Sequence, residues 1–168
     1  MSVLDDIRSG AETAHGAFDE AKTLVKQAAE EADELESSAA SHGWEGVAQA
    51  MASARESLEA AEAAVEGALT ATSDGVRALG EITSTMSSDE VAERLGRIGS
   101  GLGDAAGSAD QALSSVDDAT GAASEADART LAETLEAAAG RLKQARESLQ
   151  QALSDAESEQ SEATSWGN

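Results

Sequence analysis

The sequence predicts an all-α fold: four long, heptad-patterned helices arranged as antiparallel hairpins in a four-helix bundle or coiled coil. Three observations predict it. The 168 residues include no proline, and their 40% apolar share contains only 2% aromatics, so it is mostly alanine, the strongest helix former. Apolar or small residues recur at alternating steps of three and four over most of the chain, as they do where helices meet along one stripe. Each break in that rhythm holds residues that end or start helices.

The first stripe starts at Leu4 and Ile7, passes Ala11, Ala14, Phe18 and Val25, and reaches Leu35 and Ala39, predicting a helix near 2–41. "SHGWEG" then places Gly43 where a helix C-terminus takes glycine. The second stripe runs from Val47 and Met51 through Leu58 and Val65 to Leu79, Ile82 and Met86, weakened at Thr72 and Gly75, and predicts a helix near 45–86. Ser87 and Glu90 in "MSSDE" form a capping box. It heads a third helix near 88–119, striped from Val91 and Leu95 to Val116 and Ala119. Gly121 reads as the stop, and Ser124 with Asp127 as a weaker start for a fourth helix near 125–157, striped from Leu131 and Leu135 to Ala152 and Ala156. A seven-residue repeat sustained this long implies shallow left-handed crossings, and short turns make sequential neighbours antiparallel. The chain thus divides into one helical domain over 1–157, built from hairpins 1–86 and 87–157, and a flexible polar tail over 158–168.

With alanine in the stripes the core is thin, because each methylene missing relative to leucine forgoes about 0.8 kcal/mol of burial. In "GRIGSGLGDAAG", Gly96, Gly99, Gly101, Gly103 and Gly107 follow no strand, so no phosphate-binding loop is implied. They are expected to let a neighbouring helix come close and to make this the softest part of the bundle. "ARESL" occurs at 54–58 and again at 145–149. The offset is a multiple of seven, which any two heptad helices share, so an internal duplication stays open.

The net charge of -22, from 33 acidic against 11 basic residues, excludes nucleic acid, whose phosphates require clustered cations, and disfavours anionic membrane surfaces. Adaptation to high salt is the other reading of this charge. No run approaches the roughly 20 apolar residues of a membrane span. "MSVLDDIRSGAETAHG" carries Asp5 and Asp6 and no apolar run, unlike a signal peptide. The expected location is cytoplasmic, or outside the cell by export without a cleaved signal.

A di-metal bundle needs paired Glu-x-x-His motifs. Glu12 and His15 in "ETAH" supply one, beside the stripe and not on it, while His42 has Ala39 three residues before it. Nucleophilic catalysis needs a base beside a hydroxyl, and the two histidines offer none in such a pattern. Adjacent acids such as Glu30 with Glu31, or Asp117 with Asp118, diverge around a helix and read as solvated. The reading is therefore of a non-enzymatic protein, with no catalytic, metal or cofactor-binding residue and no small-molecule substrate. Its partner would be another protein, or a second copy through the helical seams.

Trp44 is one of two tryptophans and lies between Gly43 and Gly46. Two readings are open: an indole covering the end of a hairpin, or a recognition residue. Trp44, Glu45 and Gly46 form W-x-G in a turn joining two helices of about 40 residues, and in this residues 1–86 resemble the WXG family of small type VII secretion proteins. That resemblance implies a helical hairpin that pairs into a four-helix bundle and leaves the cell folded, through a membrane ATPase that reads a Tyr-x-x-x-acid signal after the second helix. It makes Trp44 and Gly46 the recognition or hairpin-locking residues, with the second hairpin in the place of a partner subunit. The chain departs from the family in having no tyrosine, "TSTMSSDE" being the nearest segment. "TMSSDEVAERLG" and the final Gly167 and Asn168 also resemble an Ala-rich helical family of actinobacteria, which implies no activity. Trp166, in the polar "SEQSEATSWGN", reads as a short docking element or as packing at a frayed end.

Overall fold

All four stripes close on one another within one chain. The computed structural model, which describes residues 2–166, consists of α1 (Val3–Ser41), α2 (Glu45–Gly80), α3 (Ser88–Glu125) and α4 (Arg129–Trp166). Each helix packs against two others, α1 and α3 both lying between α2 and α4, so the four form an antiparallel ring. With 36 to 39 residues apiece, the helices are roughly 55–60 Å long at about 1.5 Å per residue. One end holds the start of α1, the end of α4 and the α2–α3 turn; the opposite end holds the α1–α2 and α3–α4 turns.

The core is what the stripe spacing predicts: Ile7, Phe18, Val25, Leu58, Val65, Leu102, Leu135, Leu142 and Leu149 are fully buried, with alanines between them. Among the described residues 37 apolar side chains are buried and 21 of them are alanine, which favours close helix approach over large side chains as the source of contact. Polar groups inside this seam find local partners. The Thr72 hydroxyl donates to the Ala68 carbonyl at 2.6 Å, as buried hydroxyls require. Register is visible in the ion pairs: Lys22 meets Glu66 at 3.3 Å and Lys26 meets Glu62 at 3.6 Å, four residues forward on α1 and four back on α2. Arg55 bridges to Asp33 at 2.7 Å, while Arg141 reaches Glu20 at 2.9 Å and Arg146 reaches Asp110 at 3.2 Å. Glu36 Oε2 stands 3.0 Å from Arg55 but out of line for a hydrogen bond, so it gains charge contact without a directed donor. Exposed pairs of this kind contribute little individually, because solvent and salt screen them.

Several expectations are corrected. α2 stops at Gly80, not near 86, because the Glu81 and Ile82 N–H groups turn back to the Ala78 and Leu79 carbonyls and the capping box holds Ser87 extended. α3 runs through Gly121 to Glu125. Burial of Ala122 and Ala123 outweighs the roughly 1 kcal/mol that glycine loses in a helix, and Asp127 at φ 52 makes the stop instead. Residues 158–166, expected as a flexible polar tail, are the last turns of α4, with Ala163 buried; Gly167 and Asn168 lie outside the described residues. Leu35, expected in the core, is exposed. Glu31, expected to be merely solvated, is half-buried and accepts from the Thr134 hydroxyl at 3.1 Å, tying α1 to α4.

The α3 glycines do not serve close approach as expected. Nothing lies within 4 Å of where a Cβ would stand on Gly99, Gly101, Gly103 or Gly107. At Gly96 the tight neighbour is the end of the flexible Gln160 side chain, at 2.9 Å. Close helix contact falls elsewhere: a Cβ on Gly10 would meet the Ala152 Cβ at 3.2 Å and the Ser148 carbonyl oxygen at 3.4 Å, and one on Gly75 would meet Leu102 at 3.2 Å.

Two capping boxes start α1 and α3 at the same end. Ser87 N–H and hydroxyl donate to Glu90 Oε2 at 2.8 and 3.0 Å, and Ser87 Oγ accepts from the Glu90 N–H at 3.3 Å. The backbone bond first, and the hydroxyl second, hold the Glu90 carboxyl below its ordinary range. Asp5 is lowered likewise by the Ser2 hydroxyl and backbone.

Gly99→Ala and Gly103→Ala are each expected to stabilise the fold by up to about 1 kcal/mol, whereas Gly10→Ala, facing an alanine and a carbonyl that cannot swing aside, should lower the melting temperature. Thermal melts followed by circular dichroism check both. Because the folded pKa of Glu90 is depressed, its capping contribution is complete above the unfolded carboxyl's pKa and is lost as pH falls through the folded one. Glu90→Gln should therefore melt below the parent at neutral pH, and the gap should close in acid.

Candidate functional site

The α1–α2 turn follows from two backbone requirements. Gly43 takes φ 75, the left-handed conformation that a helix ending of this type assigns to the residue after the cap. Its N–H then reaches the Ala40 carbonyl at 3.2 Å, and the Trp44 N–H reaches the Ala39 carbonyl at 2.9 Å. Two of the end carbonyls of α1 are satisfied in this way, and Trp44 becomes the residue preceding α2, with no side-chain cap of its own. The indole is 58% exposed and stacks on the His42 ring, centroids 4.9 Å apart at an interplanar angle of 25°. His42 is itself anchored, its Nδ1–H donating to the Ser38 carbonyl at 2.7 Å. Trp44 is thus held on the outside of the tip and is not inserted between the helices. Gly46 is exposed near the start of α2, with open space where a Cβ would stand; the conformational need for glycine in this turn belongs to Gly43.

Trp166 is the last residue of α4 and is 75% exposed. It lies at the other end of the bundle from Trp44, so the structure does not bring the two together. Beside it is an open cup of about 400 Å³ lined by Leu4, Ile82, Met86, Val91, Glu159 and Trp166. Sequence reasoning missed this feature, although a signal for it is present: Ala152, Ala156, Glu159, Ala163 and Trp166 continue the alternating steps of four and three. The polar letters of "SEQSE" concealed a stripe that runs on past the reach of its neighbours.

Glu12 is exposed and His15 half-buried on α1, and among the described residues no group of three or more His, Cys, Asp or Glu side chains is placed to hold a metal ion. No described helix is long and apolar enough to cross a membrane.

Trp44→Ala is expected to leave the melting temperature nearly unchanged, within the roughly 0.5 kcal/mol typical of surface substitutions, since only the His42 stack is lost. A fall of many degrees in a calorimetric scan would instead mark the indole as part of the hairpin's packing.

No family model matches the chain, and neither a curated protein nor a solved structure does, so a functional reading rests on the geometry of these two ends.

Proposed function

We propose that this chain is a non-enzymatic helical protein–protein interaction protein: two hairpins in one polypeptide, WXG-like, and associated with type VII secretion. The observation that carries the reading is the tip at Trp44, where a glycine-dependent turn holds a large aromatic ring in solvent. An exposed, immobilised tryptophan suits recognition because its large apolar area is presented with little ordering left to undergo. The W-x-G order of Trp44, Glu45 and Gly46, placed between two long antiparallel helices, supports the secretion side of the proposal. The second hairpin packs along the first as a partner subunit would.

The alternative is a cytoplasmic coiled-coil scaffold or structural protein unrelated to export, and the absence of tyrosine from the chain favours it, since the family's export signal requires one. Expression in an actinobacterial host that carries a type VII translocase separates the two. Intact chain should accumulate in the medium, and Trp44→Ala should remain in the cell pellet. Retention of both forms in the pellet would overturn the export reading and leave the scaffold.

A further inference from the structure

The cup at the terminal end concerns a different surface from the Trp44 tip, and its chemistry goes beyond export. Three elements build it without filling it. Leu4 opens the α1 stripe, Val91 opens that of α3, and Ile82 and Met86 hang from the α2–α3 turn, all half-buried. On α4, Glu159 and Trp166 occupy stripe positions, where Ala152 and Ala156 before them and Ala163 between them are buried. The core seam therefore continues past the last layer that has partners on every side, and its final members face open space. Glu159 is the anomaly in this seam: a half-buried carboxylate lining a mainly apolar cup, whose other polar members, Thr83, Ser84 and Ser88, are uncharged, with no ion pair to any of the described residues.

A carboxylate among apolar side chains favours an occupant that carries a cation beside an apolar group. The surroundings impose the same sign. The segments that build this end, residues 1–8, 79–97 and 155–166, hold ten carboxylates against three arginines, and two of those arginines are already engaged, Arg94 with Glu81 and Arg97 with Glu93. A second copy of this chain would bring the same excess of negative charge to the contact, which like-charge repulsion opposes.

We propose that the cup is a docking site for a basic amphipathic segment of a partner protein, an apolar side chain entering against Trp166 while a neighbouring Lys or Arg meets Glu159. The cup's volume of about 400 Å³ accommodates one large side chain with its flanking backbone. Helix-in-groove recognition uses such an anchor with charge complementarity at the rim.

The test uses the full chain with Trp44→Phe, so that Trp166 is the sole tryptophan, titrated with a short amphipathic peptide of Leu and Lys and with its Leu and Glu counterpart. The Leu/Lys peptide should bind saturably with a blue shift of Trp166 emission, and the Leu/Glu peptide should not. Glu159→Lys should weaken the first by about tenfold and admit the second. That swap is decisive, because adhesion to a chain of net charge -22 would scarcely notice one altered site. Should Lys at 159 unwind the helix end, as circular dichroism would reveal, Glu159→Gln keeps the shape and must still weaken the Leu/Lys peptide. Unchanged affinity in these variants, or binding without any change at Trp166, would overturn the proposal. So would a dimer in sedimentation that Trp166→Ala converts to monomer, since a second copy would then fill the cup.

Discussion

Alanine at most of the inward positions is the constraint from which the rest of this structure follows. A stripe of small side chains yields little burial per residue, so a stable bundle needs many layers, and helices of 36 to 39 residues provide them. Small stripes also require all four helices to meet, since a lone hairpin of this kind would leave half of each seam wet. One chain supplies the complete set: α1 is flanked by α2 and α4, and α3 by the same pair. The few large residues, Phe18, Leu58, Leu102, Leu142 and Leu149 among them, fill the seam between runs of alanine and fix its register.

Charge acts on the outside of the same ring. With 33 acids and 11 bases, most carboxylates have no cation available, and the compact state bears their mutual repulsion. Five of the eleven cations offset part of it between helices: Lys22, Lys26, Arg55, Arg141 and Arg146 each reach from one helix to an acid on its neighbour. The α2–α3 wall has a different character. Its outer groove is lined by Ala60, Ala64, Gly67, Ser108 and Ser115, and there small side chains, not ion pairs, define the contact.

How much of this was legible in the sequence depends on whether a residue's type and its conformation agree. Stripe spacing was readable because each buried position is apolar or small and nothing else in the chain competes with that period. The α1–α2 turn was readable through Gly43, whose residue type announces the left-handed conformation. The α3–α4 turn has the same ending, with the Asp127 N–H on the Ser124 carbonyl at 3.2 Å and the Ala128 N–H on the Ala123 carbonyl at 2.8 Å. It was misplaced because aspartate fills the left-handed position at φ 52, while Gly121, the visible glycine, lies within the helix. The cup failed to show for a related reason. Glu159 in a stripe position looks like the end of a stripe, and only the burial of Ala163 beyond it shows that the helix continues in register.

The two tryptophans illustrate how a core sized for alanine directs its largest residues outward. An indole needs far more room than a layer of such a seam provides, and forcing one in would separate the helices over several layers. Each therefore appears where a helix ends, yet by a different route. Trp44 is placed by backbone: the turn at Gly43 takes it out of stripe register, and its stack on His42 fixes the ring. Trp166 remains in register and is exposed only because α1 and the α2–α3 turn give out before it. The first arrangement presents a rigid projection, the second an incomplete layer. One thin bundle thus exposes its two largest side chains in two different ways, at opposite ends some 55–60 Å apart, roughly the length of its helices.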